Sequence, residues 1–288
     1  MPIKVAIPRE TAAGERRVAI DPDVIKRLAK LGVEVVVEKD AGQAAYVTDE
    51  AYQDAGATIA ASAVDLYAQA DIVWRVQPPT EDEIGQMKAG STLMSTMLPY
   101  KYPERLPKLN EKSITCYAME LVPRISRAQA MDVLSSQAAI AGYKAAIMGS
   151  DLLGRFFPML TTAAGTIRPS KVVVIGVGVA GLQAIATAKR LGAIVEAYDV
   201  RPETKEQIES LGAKAIVLDI SAVGEGGYAR ELTAEEKQKQ QEELAGYIAK
   251  ANVLITTAAV PGRPAPKIVP EATVEGMKPG SVIIDLAA

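Results

Sequence analysis

No histidine occurs anywhere in the 288-residue chain. That absence excludes a Ser-His-Asp triad, a Cys-His nucleophile pair and any histidine-ligated metal site. The single cysteine, Cys116, excludes an intrachain disulfide and any multi-cysteine metal centre. It fits a reducing, cytosolic setting. No metal site is therefore expected. An excess of basic charge is also missing. Lys plus Arg is 32 against 35 Asp plus Glu, a net charge of −3. Binding to nucleic acid needs clustered cations to neutralise phosphates, so no nucleic-acid partner is expected. No apolar stretch reaches the ~18 residues of a membrane helix. The nearest, residues 172–188, is interrupted by Gly176, Gly178, Gly181 and Gln183. The first ten residues hold Lys4, Arg9 and Glu10, and so lack the apolar region of a signal peptide. Any link to a membrane is expected to run through a partner. There is no solenoid repeat and no low-complexity tract.

What is present reads as alternating strands and helices, hence an α/β fold with parallel sheets. Length alone suggests two domains. In the first half, strands are expected at residues 3–7, 33–37, 72–76, 92–97 and 114–117. Asp21-Pro22-Asp23 opens a helix, with its carboxylates at the positive end of the dipole, and Gly32 closes it. A short helix is expected at 50–55. Residues 123–149 read as one long, Ala-rich helix bridging into a second unit. That unit repeats the rhythm, with strands at 171–175, 194–198, 215–220, 253–257 and 282–286 and a charged, solvated helix at about 233–250. The expected architecture is two Rossmann-like, doubly wound parallel-sheet domains joined by a long helix. Their expected bounds are residues 1–125 and 126–288. The chain stops directly after a strand with nothing to cover it, so the natural protein is expected to continue beyond it.

One motif carries most of the chemistry. A buried strand, Val172-Val173-Val174-Ile175, runs into Gly176-Val177-Gly178-Val179-Ala180-Gly181, a G-x-G-x-x-G turn. Gly176 makes the tight turn. Gly178 lets backbone approach a pyrophosphate, and Gly181 lets the helix pack closely on the strand. The helix from Ala180 aims its first N–H groups at phosphate. The next strand ends in Asp199, followed by Val200 and Arg201, at the distance expected of the ribose-binding carboxylate. A carboxylate accepts from a ribose 2′-OH and repels a 2′-phosphate, which favours NAD over NADP. Arg201 pulls the other way, because arginine holds a 2′-phosphate. A glycine-rich turn that binds nothing is the bland alternative.

Further residues resemble a known family. Ile7-Pro8-Arg9-Glu10, Glu15-Arg16-Arg17-Val18-Ala19 and Asp21-Pro22 resemble the opening of the alanine dehydrogenase/pyridine nucleotide transhydrogenase family. The stretches Val122-Pro123-Arg124-Ile125-Ser126-Arg127-Ala128-Gln129-Ala130-Met131-Asp132 and Thr256-Thr257-Ala258-Ala259-Val260-Pro261-Gly262-Arg263-Pro264-Ala265-Pro266-Lys267 resemble its transhydrogenase branch. The resemblance implies NAD(H) bound on this chain and hydride transfer from NADH to NADP+ on a separate NADP(H)-binding domain. It implies coupling to proton translocation through a membrane-spanning domain, a homodimer, a cytoplasmic location on the inner membrane face through those partners, and a further C-terminal segment that completes the first domain.

The resemblance also places residues. Gln129 would contact the nicotinamide ribose, while Arg124, Asp132 and Ser135 would order the ring, with Ile125, Ser126 and Arg127 lining the same segment. In one helix Gln129, Asp132 and Ser135 would share a face. Ser126-x-x-Gln129 also has the capping-box pattern, the structural alternative. Gly227 and Tyr228 would form a lid over bound nucleotide, and Ala258 and Ala259 would leave room for the ribose at the strand ends. Small, apolar residues 142–148 would pack against a dimer partner. Phe156, Phe157 and Trp74 read as core or interface, and Cys116 as an apolar filler.

The missing histidine then separates the family's branches. Oxidising an alcohol or amine also removes a proton, which needs a general base. Passing a hydride between two nicotinamides does not. In this resemblance the family's histidine falls at Met97-Leu98-Pro99 and its lysine at Gln77, so both are absent; Arg17, at the position of the family's substrate-carboxylate arginine, is retained and read as inherited and structural. Two rivals stay open: a stand-alone alanine dehydrogenase-like enzyme, and a non-catalytic NAD-sensing module.

Overall fold

The computed structural model describes residues 2–218, 232–259 and 264–287. The chain divides into two compact units, Met1–Asp132 and Val133–Ala288.

In the first unit, β1 (Lys4–Ile7), β2 (Glu34–Glu38), β3 (Thr58–Ala60), β4 (Ile72–Trp74), β5 (Thr92–Ser95) and β6 (Thr115–Ala118) form one parallel sheet. Their order is β3-β2-β1-β4-β5-β6. Helices α1 (Pro22–Ala29), α2 (Asp49–Asp54), α3 (Ala63–Gln69), α4 (Glu81–Gln86) and α5 (Arg105–Glu111) make the crossovers. Strand side chains alternate between two cores, as a period of two requires. Val5, Ile7, Val35 and Val37 pack with Ile25 and Tyr52 on one face. Ala6, Val36, Val73 and Leu93 pack with Leu66, Tyr67 and Ile84 on the other. The start expected at Asp21 is a true cap: its carboxylate accepts from the Asp23 N–H, with Pro22 in the first turn. Thr80 and Glu83 form a reciprocal capping box at α4. The short elements β3, α3, α4 and α5 carry too little periodicity to register in the sequence.

In the second unit, α6 (Val133–Leu152) is followed by an exposed antiparallel hairpin of β7 (Leu160–Thr162) and β8 (Gly165–Ile167). Then come β9 (Lys171–Ile175), α7 (Val179–Arg190), β10 (Ile194–Tyr198), α8 (Thr204–Ser210), β11 (Lys214–Ala215), α9 (Ala234–Ile248), β12 (Val253–Thr256), α10 (Glu271–Glu275) and β13 (Val282–Asp285). The sheet is parallel, in the order β11-β10-β9-β12-β13. Val172, Val173, Val174 and Ile175 are all buried, each contributing about 1.5–3 kcal/mol in lost water contact. Phe157 is core, while Phe156 is exposed.

The bridge between the units differs from the expectation. Residues 126–131 form a 3-10 helix, Ser126–Met131, and Asp132 then leaves helical geometry with φ −76° and ψ 87°. The α-helix starts only at Val133. Nor is it a free connector. Ala145 and Ala146 are buried in the second core. A Cβ placed on Gly142 would stand 2.0 Å from the Ala180 carbonyl oxygen, and one on Gly149 would stand 2.8 Å from Val253 Cγ1. The small residues expected to meet a dimer partner thus seat α6 on its own unit. Ile140, Tyr143, Met148 and Leu152 on the same helix remain exposed.

Candidate nucleotide site

The carboxyl edge of the second sheet has its switch point between β9 and β12, where ligands bind in open α/β sheets. The glycine turn lies there. Gly176 takes φ +90°, and a Cβ on it would stand 2.7 Å from both the Ala258 N and Thr257 Oγ1. Only glycine suits a positive φ with backbone that close. A Cβ on Gly181 would stand 1.9 Å from the Gly176 carbonyl oxygen, so α7 crosses the turn at the closest possible approach. Thr257 Oγ1 donates to that same oxygen at 2.9 Å, a tie the sequence reading did not single out.

Gly178, in contrast, faces open space: nothing lies within 4 Å of a Cβ built on it. It precedes the first turn of α7, whose capping position carries no side-chain acceptor. Val179 and Ala180 supply the first N–H groups there. The helix therefore starts with donors unsatisfied by side chains and a glycine that leaves room in front of them. That is the chemistry a pyrophosphate needs.

Asp199 follows β10 and is tied into the turn. Its Oδ2 accepts from the Val177 N–H at 2.7 Å and from Arg201 Nη2 at 3.0 Å. Its Oδ1 accepts from the Arg201 N–H at 3.0 Å and from Arg201 Nε at 2.9 Å. Arg201 Nη2 also donates to the Val177 carbonyl at 3.2 Å. A carboxylate offers about four acceptor sites, and these donors occupy them. A ribose hydroxyl reaching Asp199 therefore replaces an Arg201 contact. Val200 is half-buried beside the pair, Ala258 is half-buried and Ala259 exposed at the end of β12. Gly227 and Tyr228 lie outside the described residues.

The segment expected near the nicotinamide lies mostly in the first unit. Arg124 Nε stands 3.7 Å from Asp132 Oδ2, so the structure brings those two together. Ile125, Ser126, Arg127 and Gln129 are exposed. Gln129, Asp132 and Ser135 do not share a helix face. Gln129 is in the 3-10 helix, Asp132 breaks it, and Ser135 is in the first turn of α6. The capping box is also absent, since the 3-10 helix is preceded by extended Ile125 and has no side-chain cap.

The chain matches two family models in succession: alanine dehydrogenase/PNT, N-terminal domain, over residues 6–141, and its C-terminal domain over residues 145–288. The chain belongs to the alanine dehydrogenase/pyridine nucleotide transhydrogenase family. Within it, an NAD(P) transhydrogenase alpha-subunit chain of Rhodospirillum rubrum is 52% identical over 99% of this chain and 77% of its own length. The NAD(P) transhydrogenase subunit alpha of Haemophilus influenzae is 47% identical over 99% of this chain, which spans 56% of it. A solved transhydrogenase from Sinorhizobium meliloti superposes with a TM-score of 0.88 at 44% identity, covering 99% of this chain and 78% of that one. An L-alanine dehydrogenase superposes at 0.81 with 27% identity, over 99% and 74%. The family is one of pyridine-nucleotide enzymes.

The loop that follows β5 is held by Glu120. That buried carboxylate accepts from the Met97 N–H at 3.0 Å and the Leu98 N–H at 2.6 Å, and Leu98 takes φ 46°. Burial, and secondarily Glu120, push the Cys116 thiol up to about 11, which leaves it protonated and unreactive. Among the described residues no cluster of three or more His, Cys, Asp or Glu could hold a metal ion. Among them, too, no helix is long and apolar enough to cross a membrane.

Proposed function

We propose that the chain binds NAD(H) on its second unit and presents it for hydride transfer to NADP+ held on a separate NADP(H)-binding domain. A membrane-spanning domain couples that transfer to proton translocation, and the chain works as a homodimer on the inner membrane face. One observation carries this reading: a nucleotide turn with room at Gly178 and a carboxylate at Asp199, in a chain without histidine. Bound NADH supplies a hydride. The residues of this chain need only hold and orient it, because no proton leaves oxygen or nitrogen when carbon hands a hydride to carbon.

In this reading Gly176, Gly178, Gly181, Val179 and Ala180 receive the pyrophosphate, and Asp199, with Val200 and Arg201, receives the adenosine ribose. The Asp199 carboxylate selects against a 2′-phosphate, with Arg201 neutralised beside it. Ala258 and Ala259 border the ribose, and Gly227 and Tyr228 act as the lid. Arg124, Asp132 and Ser135 order the dihydronicotinamide with Ile125, Ser126 and Arg127, and Gln129 sets its ribose against the incoming ring. The Arg124–Asp132 pair and the exposure of Gln129 support those roles. The apolar residues Ile140, Tyr143, Met148 and Leu152 support a second copy as partner.

The test is a mixing assay. The chain is combined with a transhydrogenase NADP(H)-binding domain, and hydride transfer from NADH to an NADP analogue is followed. Transfer is expected only with both components present. NADH binding without transfer points to the sensing module. NAD-dependent turnover of alanine, or of a 2-oxo acid with ammonia, points to the dehydrogenase. Gln129→Asn should leave NADH affinity unchanged and slow transfer; loss of binding would remove its positioning role.

A further inference from the structure

Past Ile175 the backbone ladders of β9 run out. The last rungs are the Gly176 N–H to the Tyr198 carbonyl at 2.9 Å and the Thr257 N–H to the Ile175 carbonyl at 2.8 Å. Beyond them one peptide group, joining Gly176 to Val177, is held by side chains at both ends. Its carbonyl oxygen accepts from Thr257 Oγ1 at 2.9 Å. Its N–H donates to Asp199 Oδ2 at 2.7 Å. The peptide is trans, so its two polar groups point to opposite sides. Asp199 follows β10 and Thr257 follows β12, the strands that flank β9 in the sheet. The clamp therefore closes across three adjacent strands.

Gly176 and Val177 are both buried, where an unpaired peptide group is costly. Hydrogen bonds at the two ends of one peptide also polarise it in the same sense. The Thr257 hydroxyl crowds two glycines of the motif as well. It would stand 2.7 Å from a Cβ on Gly176 and 3.3 Å from one on Gly181. Gly178 follows the clamped peptide directly, and α7 begins one residue later with no side-chain cap. Fixing the plane of the 176–177 peptide thus fixes the direction in which the uncapped N–H groups of that first turn face a ligand.

We propose that Thr257 is a positioning residue for the pyrophosphate. With Asp199 it sets the 176–177 peptide before nucleotide arrives, so the N–H groups that follow Gly178 meet the phosphates without rearrangement. Asp199 then divides two duties between its oxygens. Oδ2 holds the peptide, while Oδ1, which accepts twice from Arg201, is the one a ribose hydroxyl takes over without opening the clamp. The inference rests on the nucleotide reading above and extends it to a residue outside the glycine motif.

The experiment uses the full chain. NADH binding is followed by fluorescence, and ADP and adenosine are titrated in competition with it. ADP carries the pyrophosphate and adenosine lacks it. Thr257→Val keeps the side-chain shape and removes the donor. It should weaken NADH and ADP roughly fivefold, the loss expected of one hydrogen bond, and leave adenosine unchanged. Thr257→Ser keeps the hydroxyl and should bind ADP as wild type does. If Thr257→Val is insoluble, Thr257→Cys, of similar size with a weaker donor, takes its place. ADP affinity equal to that of wild type in the donor-deficient variant overturns the proposal. So does an equal loss of ADP and adenosine, which marks general damage to the unit, or a Thr257→Ser variant that loses ADP. Wild type that binds neither NADH nor ADP overturns the nucleotide reading, and this proposal with it.

Discussion

Two helical glycines in this chain should answer the same substitution with opposite signs. Gly142 lies in α6 and Gly246 in α9. In a helix, alanine is favoured over glycine by roughly 0.5–1 kcal/mol, because glycine loses more backbone freedom on folding. Gly246 is exposed, with nothing within 4 Å of a built Cβ, so Gly246→Ala should keep that gain. At Gly142 a Cβ would stand 2.0 Å from the Ala180 oxygen, where ordinary contact begins at 3.4 Å. The difference, 3.4 − 2.0 = 1.4 Å, is the clearance α6 and α7 would have to find. The opposing atoms are backbone, which cannot swing aside. Overpacking a tight core costs about 1–3 kcal/mol, which outweighs the helix gain. Ala180 also belongs to the first turn of α7, so the displacement reaches the nucleotide turn. Urea unfolding followed on the second unit should show the midpoint falling for Gly142→Ala and rising for Gly246→Ala, with slopes unchanged. NADH affinity should fall only for the first. If Gly142→Ala is as stable as Gly246→Ala, the close approach of α6 and α7 is wrong.

Gly181→Ala meets the Gly176 oxygen at 1.9 Å, so it should weaken NADH binding at least tenfold, about 1.4 kcal/mol, read by quenching of NADH fluorescence. Asp199→Ala removes the acceptor of the Val177 N–H and the carboxylate that Arg201 pairs with. Losing a charge-assisted bond of ~1.5–3 kcal/mol should weaken NADH and narrow its preference over NADPH, measured by parallel titrations; an unchanged ratio would refute the ribose role. Hydrogen bonding to Arg17 lowers the Glu15 carboxyl from 4.5 to about 2. A depressed folded-state value means the stabilisation is present above pH 4.5 and lost as pH falls towards 2. Glu15→Gln should flatten the acid limb of the stability profile in that window, seen by denaturation at stepped pH.

The nucleotide turn was legible because its signal is local. The apolar strand, three glycines, a following helix and an acid after the next strand all lie within residues 171–201 and need no distant partner to be recognised. The strand expected at 33–37 and the helix start at Asp21 are local in the same sense. Short elements were not legible, since β3 and α3 offer too few residues for a period. Residues 123–149 misled for a different reason. They are Ala-rich and read as one helix, but Pro123, Ile125, Ser126 and Asp132 are weaker helix formers, and the backbone breaks at Asp132.

By itself, then, the sequence determined the alternating α/β order, the family and the place of the glycine-rich turn, and through the missing histidine it excluded imidazole as a base. Only the tertiary structure decided how those parts are used. It packed the glycine face of α6 onto α7, filled every acceptor site of Asp199 from Val177 and Arg201, and folded Glu15 into donors drawn from Arg17 and Gln77. The physical reason is range: a turn or a cap is set by neighbours along the chain, whereas the approach of Gly142 to Ala180, the Val177–Asp199 bond and the Gln77–Glu15 bond join residues far apart in sequence.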